Sequence, residues 1–462
     1  RRDAETPFLD ALAQRSAAFH AHFTVHGKCV PARAALYSGR YAHCGGHRTL
    51  GIELHAHEPS LAKILKEHGY HTILTFKNHT VDARILREQF DEHWRAGVNG
   101  EKGISVFDYR SETTSHPRAL GNKYADNYLF GRLNFDERQH QDYLATERAA
   151  AFIRSCKPGD APFFLNLNFD FTHTPYGIME PYYSRFMRKP LQVIPGDPGH
   201  GKPAFMQRLS ELHGFARLDE HDRRELLACY LGMASYVDAR VAEVYRALEE
   251  SGQLEDTIIV FTSDHGDFTG QYGVPEKWDT ALYDCILRVP LIIHYGRQVQ
   301  AARFDVLTES IDVAPTILEL AGIPAPYGLQ GRSLCGLLRG ETGGHREYVF
   351  AEGGHEKELL EVTTHHNAYR DMVVGYQHKE RLRTEMPDAL RKAKMIRTAR
   401  YKLVYRIKDR HELYDVAADP HEMNNLYGSA GYDAITVELQ TRLLEHLIET
   451  EENLPFDADP IA

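Results

Sequence analysis

The sequence predicts an α/β fold, a large domain with a mostly parallel sheet between helices, plus a smaller C-terminal α+β subdomain. Three observations carry this. Short β-rich apolar runs alternate with longer helical patterns, as expected of strands joined by helical crossovers. The run Thr257 to Thr262 (TIIVFT) is nearly all apolar, as strands buried on both faces are. The 462 residues are roughly three times the ~150 of a typical domain, which suits one large domain and a smaller one.

The elements follow in order. Thr6-Pro7-Phe8-Leu9-Asp10 opens a helix, with Thr6 as N-cap and Pro7 at the first helical position. Ser60 to His68 is helical and closed by Gly69, and Tyr70 to Phe76, rich in β-branched and aromatic residues, is a strand. Asp142 to Cys156 reads as a helix and Phe163 to Phe171 as a strand. The longest helix runs from about Glu220 to Ser251, ended by Gly252. Pro290 to His294 and Ile311 to Leu320 continue the strand-then-helix pattern. From Leu338 the composition shifts, which sets domains of 1–340 and 341–462. Met395 to Arg406 and Leu413-Tyr414-Asp415 are strands of an appended antiparallel sheet, before a last helix at Ile435 to Glu451.

Composition excludes several classes. Lys+Arg number 54 against 65 Asp+Glu, and the net charge of -11 argues against a general nucleic-acid binder. No window approaches the ~18 apolar residues of a membrane span, and Arg1 to Glu5 carries no signal-peptide pattern. Without an initiator Met, targeting and compartment stay unassigned. Six cysteines do not make a disulfide scaffold, and Cys156, Cys229 and Cys285 read as buried thiols.

Five constellations carry candidate chemistry. Cys29-Val30-Pro31-Ala32-Arg33 places Cys29 at a helix start, where backbone N–H groups favour an anion, with Arg33 one turn on. Ser263-Asp264-His265-Gly266-Asp267 follows a strand, where ligands of parallel sheets bind, and Asp264 and His265 are a plausible metal pair with Gly266 allowing a sharp turn. Lys77 and His79 follow the second strand, His173 follows the Phe163 strand, and Lys277 lies thirteen residues after Asp264. Each alone suits a solvated loop. Delivered together, they form a site for a tetrahedral oxyanion around a cation.

These motifs resemble the type I sulfatases of the alkaline-phosphatase superfamily. The likeness rests on C-x-P-x-R followed by Ser38-Gly39-Arg40-Tyr41, and on Gly69-Tyr70-His71-Thr72, His173-Thr174-Pro175 and Arg288-Val289-Pro290-Leu291. Ile311 to Thr316, Gly331-Arg332-Ser333-Leu334 and Ile396 to Lys402 extend it along nearly the whole chain. The resemblance implies an alkaline-phosphatase-like fold and hydrolysis of sulfate monoesters, of a carbohydrate or another alcohol, by a formylglycine hydrate made from Cys29. It further implies that Cys29, Asp264 and His265 hold a divalent cation, Ca2+ first, with Mn2+ or Zn2+ admitted because His265 stands where many members have Asn. Arg33 would orient the formylglycine, and Lys77, His173 and Lys277 would bind sulfate. His173 or Lys277 would protonate the leaving oxygen, and His79 would deprotonate the diol. A formylglycine-generating enzyme and a small-molecule or glycan sulfate ester are the implied partners, with oligomerisation left open. Members carry two more acidic ligands upstream of the Thr-Pro-Phe-Leu-Asp region, and Asp3 aligns with neither. The same scaffold also suits a phosphonate monoester or phosphodiester hydrolase, or an inactive binder of sulfated sugars. Substrate-reading segments are expected at Asn99 to Gln141, Tyr176 to Asp219 and His355 to Arg383.

Overall fold

The structure, a computed structural model, describes residues 3–106, 108, 119, 121–193, 196, 197, 199–296, 298–326, 328–341, 344–356 and 374–451. A four-stranded sheet has the order Ile259–Thr262, Leu291–His294, Ala17–Phe23, Ala302–Glu309. Ala17–Phe23 and Ala302–Glu309 are parallel, whereas Leu291–His294 runs against both of its neighbours. The chain between Thr262 and Leu291 returns through a site-forming loop rather than a helical crossover, and only an antiparallel pair permits that. Glu92–Trp94, His71–Thr75 and Phe163–Asn166 form a second sheet, parallel throughout. Apolar faces of the helices Gln141–Ser155 and Glu220–Glu250 meet over these strands, where Ala150, Ile153, Ala247 and Leu248 pack with Phe163, Leu165 and Ile259.

Three local expectations are corrected. Thr6 does not cap the helix Pro7–Gln14 through its side chain. The N–H groups of Phe8 and Leu9 instead donate to the carboxylate of Asp238 on the long helix, at 3.1 and 2.7 Å. The Phe163 strand stops at Asn166, not Phe171, because the following N–H groups find side-chain acceptors off the ladder. Asn168 N donates to Thr75 Oγ1 at 2.8 Å, and Asp170 N and Phe171 N donate to the Asp142 carboxylate at 2.7 and 3.0 Å. Of the three cysteines read as buried, Cys229 is buried but Cys156 and Cys285 are only half-buried. Cys156 caps a helix end, where packing is one-sided.

The C-terminal sheet is antiparallel, in the order Val349–Gly353, Ala393–Arg397, Tyr401–Arg406, Glu412–Asp415. The helix Asp433–Thr450 closes one face, setting Leu439 and Leu443 on Ile396, Leu403 and Leu413. The other face shares a core with the large domain, where Val404 and Tyr414 pack with Trp278, Tyr283 and Phe23. Hydrogen bonds tie the edges together, from Glu352 N to the Val25 carbonyl at 2.9 Å and from Phe350 N to the Glu309 carboxylate Oε1 at 2.6 Å. Among the described residues, no helix is long and apolar enough to cross a membrane.

Candidate active site

Cys29 is the first residue of the helix Cys29–Ser38, and it is buried. One turn on, Arg33 donates from Nε to Asp264 Oδ2 at 2.8 Å and from Nη1 to Asn168 Oδ1 at 2.8 Å. Asn168 in turn donates to Lys77 O at 2.9 Å, so one amide ties the second sheet to the nucleophile helix. Arg33 is thereby fixed as a planar fork between two elements.

Asp264 and His265 follow the strand Ile259–Thr262 directly. His265 Nδ1 donates to Gly266 O at 2.8 Å. A carbonyl can only accept, so Nδ1 carries a hydrogen and Nε2 is the nitrogen that faces Cys29 Sγ, 3.1 Å away. Gly266 is needed for close approach rather than for a sharp turn, because a Cβ there would stand 2.0 Å from Cys285 O. Among the described residues, Cys29, Asp264 and His265 form the group of potential metal donors whose ligand atoms all lie within 4.8 Å of one another. A thiol position, a carboxylate and an imidazole whose Nε2 faces them are donors that a divalent cation can use, with further ligands to complete its shell.

His173 lies beyond the end of its strand, in the loop after Phe171. Its Nδ1 donates to Thr174 O at 2.7 Å, which turns Nε2 toward Lys277 Nζ at 3.4 Å. Burial and the charges of Lys277 and Lys77 push His173 down to about 3. Lys277 is buried, and its ammonium donates to Glu276 Oε1 at 2.6 Å. Burial works against that charge, but the Cys29 sulfur, Tyr376 and Asp264 outweigh it and keep the lysine protonated. Burial likewise opposes ionisation of Cys29, yet Lys277 and His265 hold its thiol well below the ordinary value. His265 and Arg33 do the same for Asp264 against its burial. His79 lies against Cys29; burial lowers its pKa, the sulfur partly offsets this, and its Nδ1 is buried without a partner.

The structure thus gathers Cys29, Arg33, Lys77, His79, His173, Asp264, His265 and Lys277 around one point. Sequence reasoning missed Asn168, Glu276 and Lys379. Glu276 stands beside Lys277 in sequence and could have been suspected. Lys379, on the helix Gly375–Glu385, donates to Lys277 O across 102 residues, and only folding places it there. The expected substrate-reading segments fall partly at 109–118 and 357–373, outside the described residues.

A profile described as Sulfatase matches residues 1–323, and one described as N-sulphoglucosamine sulphohydrolase, C-terminal, matches 353–449. The chain belongs to the sulfatase family and has the alkaline-phosphatase-like fold. It is 26% identical to the multifunctional alkaline phosphatase superfamily protein PehA of Trinickia caryophylli, over 95% of this chain and 89% of that protein. It is 25% identical to an N-acetylglucosamine-6-O-sulfatase of Bacteroides thetaiotaomicron, over 99% of this chain and 84% of the relative. The solved phosphonate monoester hydrolase from Silicibacter pomeroyi shares the fold with a TM-score of 0.78 at 24% identity, covering 99% of this chain and 92% of that one.

Proposed function

We propose that this protein hydrolyses sulfate monoesters of a sugar or another alcohol, using residue 29 as a formylglycine hydrate. The observation that carries the reading is the convergence of Cys29, Asp264 and His265 within 4.8 Å of one another, ringed by Arg33, Lys77, His79, His173 and Lys277. The hydrate would supply one hydroxyl oxygen to attack sulfur and a second whose collapse to the aldehyde expels sulfate. A sulfated serine would have no such exit. Asp264, His265 and the matured residue 29 would hold one divalent cation, Ca2+ first and Mn2+ or Zn2+ as alternatives. When bound, it would polarise sulfate and favour ionisation of the hydrate. Arg33 would orient residue 29, His79 would take the hydrate's proton, and Lys77, His173 and Lys277 would bind the sulfate oxygens.

The leaving oxygen needs a proton. The His173 Nδ1 hydrogen is committed to Thr174 O at 2.7 Å, and Nε2 presents a lone pair. Lys277 therefore holds the available proton of the pair. Steady-state rates on an aryl sulfate and an aryl phosphonate monoester test the assignment. A kcat/KM preference of ~100-fold for the phosphonate would move it to the second reading, a phosphonate monoester hydrolase, which the Asp264–His265 donor pair also suits. Protein from a host with the maturation enzyme should show residue 29 lighter by the thiol-to-aldehyde difference in peptide mass spectra. Full activity with an unmodified thiol would refute the mechanism. Asp264→Ala should lose the metal, read as metal content after dialysis, together with the activity.

A further inference from the structure

The helix Gly375–Glu385 belongs to the C-terminal part of the chain, and it brings Lys379 and Tyr376 to the active-site lysine. Lys379 is buried, and its Nζ is held between Glu276 Oε2 and the Lys277 carbonyl. The other oxygen of Glu276 accepts from Lys277 Nζ at 2.6 Å, while Oε2 also accepts from Lys277 N at 2.8 Å. The same carboxylate thus grips both ends of Lys277 and the lysine from the distant helix. Glu276 itself sits in the left-handed region, at φ 63°, unusual for a residue with a side chain. Its N–H donates to Tyr176 OH at 2.7 Å, and that hydroxyl donates to Asp267 Oδ1 at 2.6 Å. Strain of this kind persists only where the surroundings over-determine it. Here they do, from three separate segments.

We infer that Glu276 and Lys379 are positioning residues, which together aim the Lys277 ammonium at the oxygen that leaves from sulfur. The inference rests on the reading of Lys277 as proton donor. As the S–O bond breaks, its electron pair stays on the leaving oxygen, which takes a proton from Lys277 and leaves a neutral amine that water reprotonates. A lysine has four rotatable bonds, and an unheld ammonium would spread over several positions. One carboxylate gripping both its N–H and its Nζ removes that freedom. Lys379 has a second effect. It also donates to Glu276, so the carboxylate is not a private partner of Lys277 and the Lys277 proton stays transferable. Burial and the charges of Lys28 and Arg383 hold the pKa of Lys379 itself well down. Without Lys379, Glu276 would compete with the substrate for Lys277. Without Glu276, two buried lysines would face each other with no carboxylate between them.

The test is a leaving-group series, from 4-nitrophenyl sulfate to an alkyl or sugar sulfate, on matured wild type, Glu276→Gln, Lys379→Met and the double variant. Misplacing a catalytic group by about 1 Å can cost on the order of 10²-fold in rate. Losses should approach that size for the alkyl sulfate, in kcat and kcat/KM alike. They should shrink several-fold for nitrophenolate, which departs with little protonation. The two single losses should not multiply in the double variant, because both act through one ammonium. Losses equal across the series, or multiplying in the double variant, would overturn the inference. If a single variant fails to fold, as judged by its melting curve, the double variant decides, since it leaves neither buried partner without the other. Lys277→Ala separates the two levels of the argument. If it stays active on the alkyl sulfate, the donor assignment itself falls. If it is inactive while Glu276→Gln and Lys379→Met keep the wild-type leaving-group dependence, only the positioning role falls.

Discussion

Two buried lysines, Lys277 and Lys402, show the difference between a cation at a working site and one that holds the fold. Lys402, on the strand Tyr401–Arg406, is wholly enclosed, and its ammonium is paired with Asp284 Oδ1 at 3.0 Å and Glu422 Oε1 at 2.7 Å. Arg397 adds a second cation to Asp284 at 3.1 Å. The charges there answer one another within the protein. Around Lys277 they do so only in part. Glu276 holds the Lys277 ammonium from one side at 2.6 Å and Asp264 pairs with Arg33 at 2.8 Å, while Lys77 adds a further cation facing the Cys29 sulfur. Burial makes a charged group costly unless it is paired, so a surplus of buried positive charge is stable only where an anion is to be bound. The first cluster is closed and the second is open to a substrate.

Breaking the open cluster should give the largest functional losses. Cys29→Ala should abolish turnover, with a melting temperature close to that of the wild type, because a helix-start thiol contributes little packing. Lys277→Ala should lower kcat and kcat/KM together by ~10²–10³, as loss of a donor acting in the transition state does, with metal content unchanged. A raised KM with kcat preserved would contradict this role.

Breaking the closed cluster should act on stability instead. Lys402→Met keeps the stem and deletes the charge, leaving Asp284 and Glu422 buried together. A cost of about 3–5 kcal/mol in denaturant unfolding is expected, with activity per folded molecule near wild type. Lys402 is thus a structural cation, although a strand position read from sequence says nothing of its enclosure. Arg400 is a rim residue. Its side chain is 63% exposed and pairs with Asp415 at 2.9 Å, and Arg400→Ala should leave denaturant unfolding close to that of the wild type.

A smaller effect should appear with pH, at the seam between the two parts of the chain. His43 binds Glu352 at 3.1 Å, and Lys394 shares that carboxylate. Burial opposes the imidazolium, but Glu352 raises it to about 9 from the ordinary 6.5. A group whose folded pKa is raised stabilises fully below its unfolded value, and the contribution is lost as pH rises through the folded one. Stability from this pair should therefore be complete below about pH 6.5 and decline toward pH 9. Melting curves of wild type and His43→Ala should converge over that range. Curves that stay parallel would show that the pair does not titrate there.

The sequence alone determined the alternation of strands and helices and the chemistry of most of the site. Local signals suffice for both: β-branched apolar runs mark strands, and reactive residues that cluster within a few positions, such as Cys29 with Arg33 and Asp264 with His265, are legible as motifs. What the sequence did not determine was which distant groups complete those motifs. The reversed strand Leu291–His294, the Asp238 carboxylate that caps the first helix, the Asn168 amide on Arg33 and the Lys379 side chain behind Glu276 all depend on pairings across many residues. Hydrogen bonds and ion pairs of that kind leave no periodic trace in a sequence, because their partners are set by the packing of whole elements. The same limit explains why Lys277 and Lys402, alike as letters, have different environments. Only the fold decides whether the charge around a buried lysine is closed or left open for a ligand.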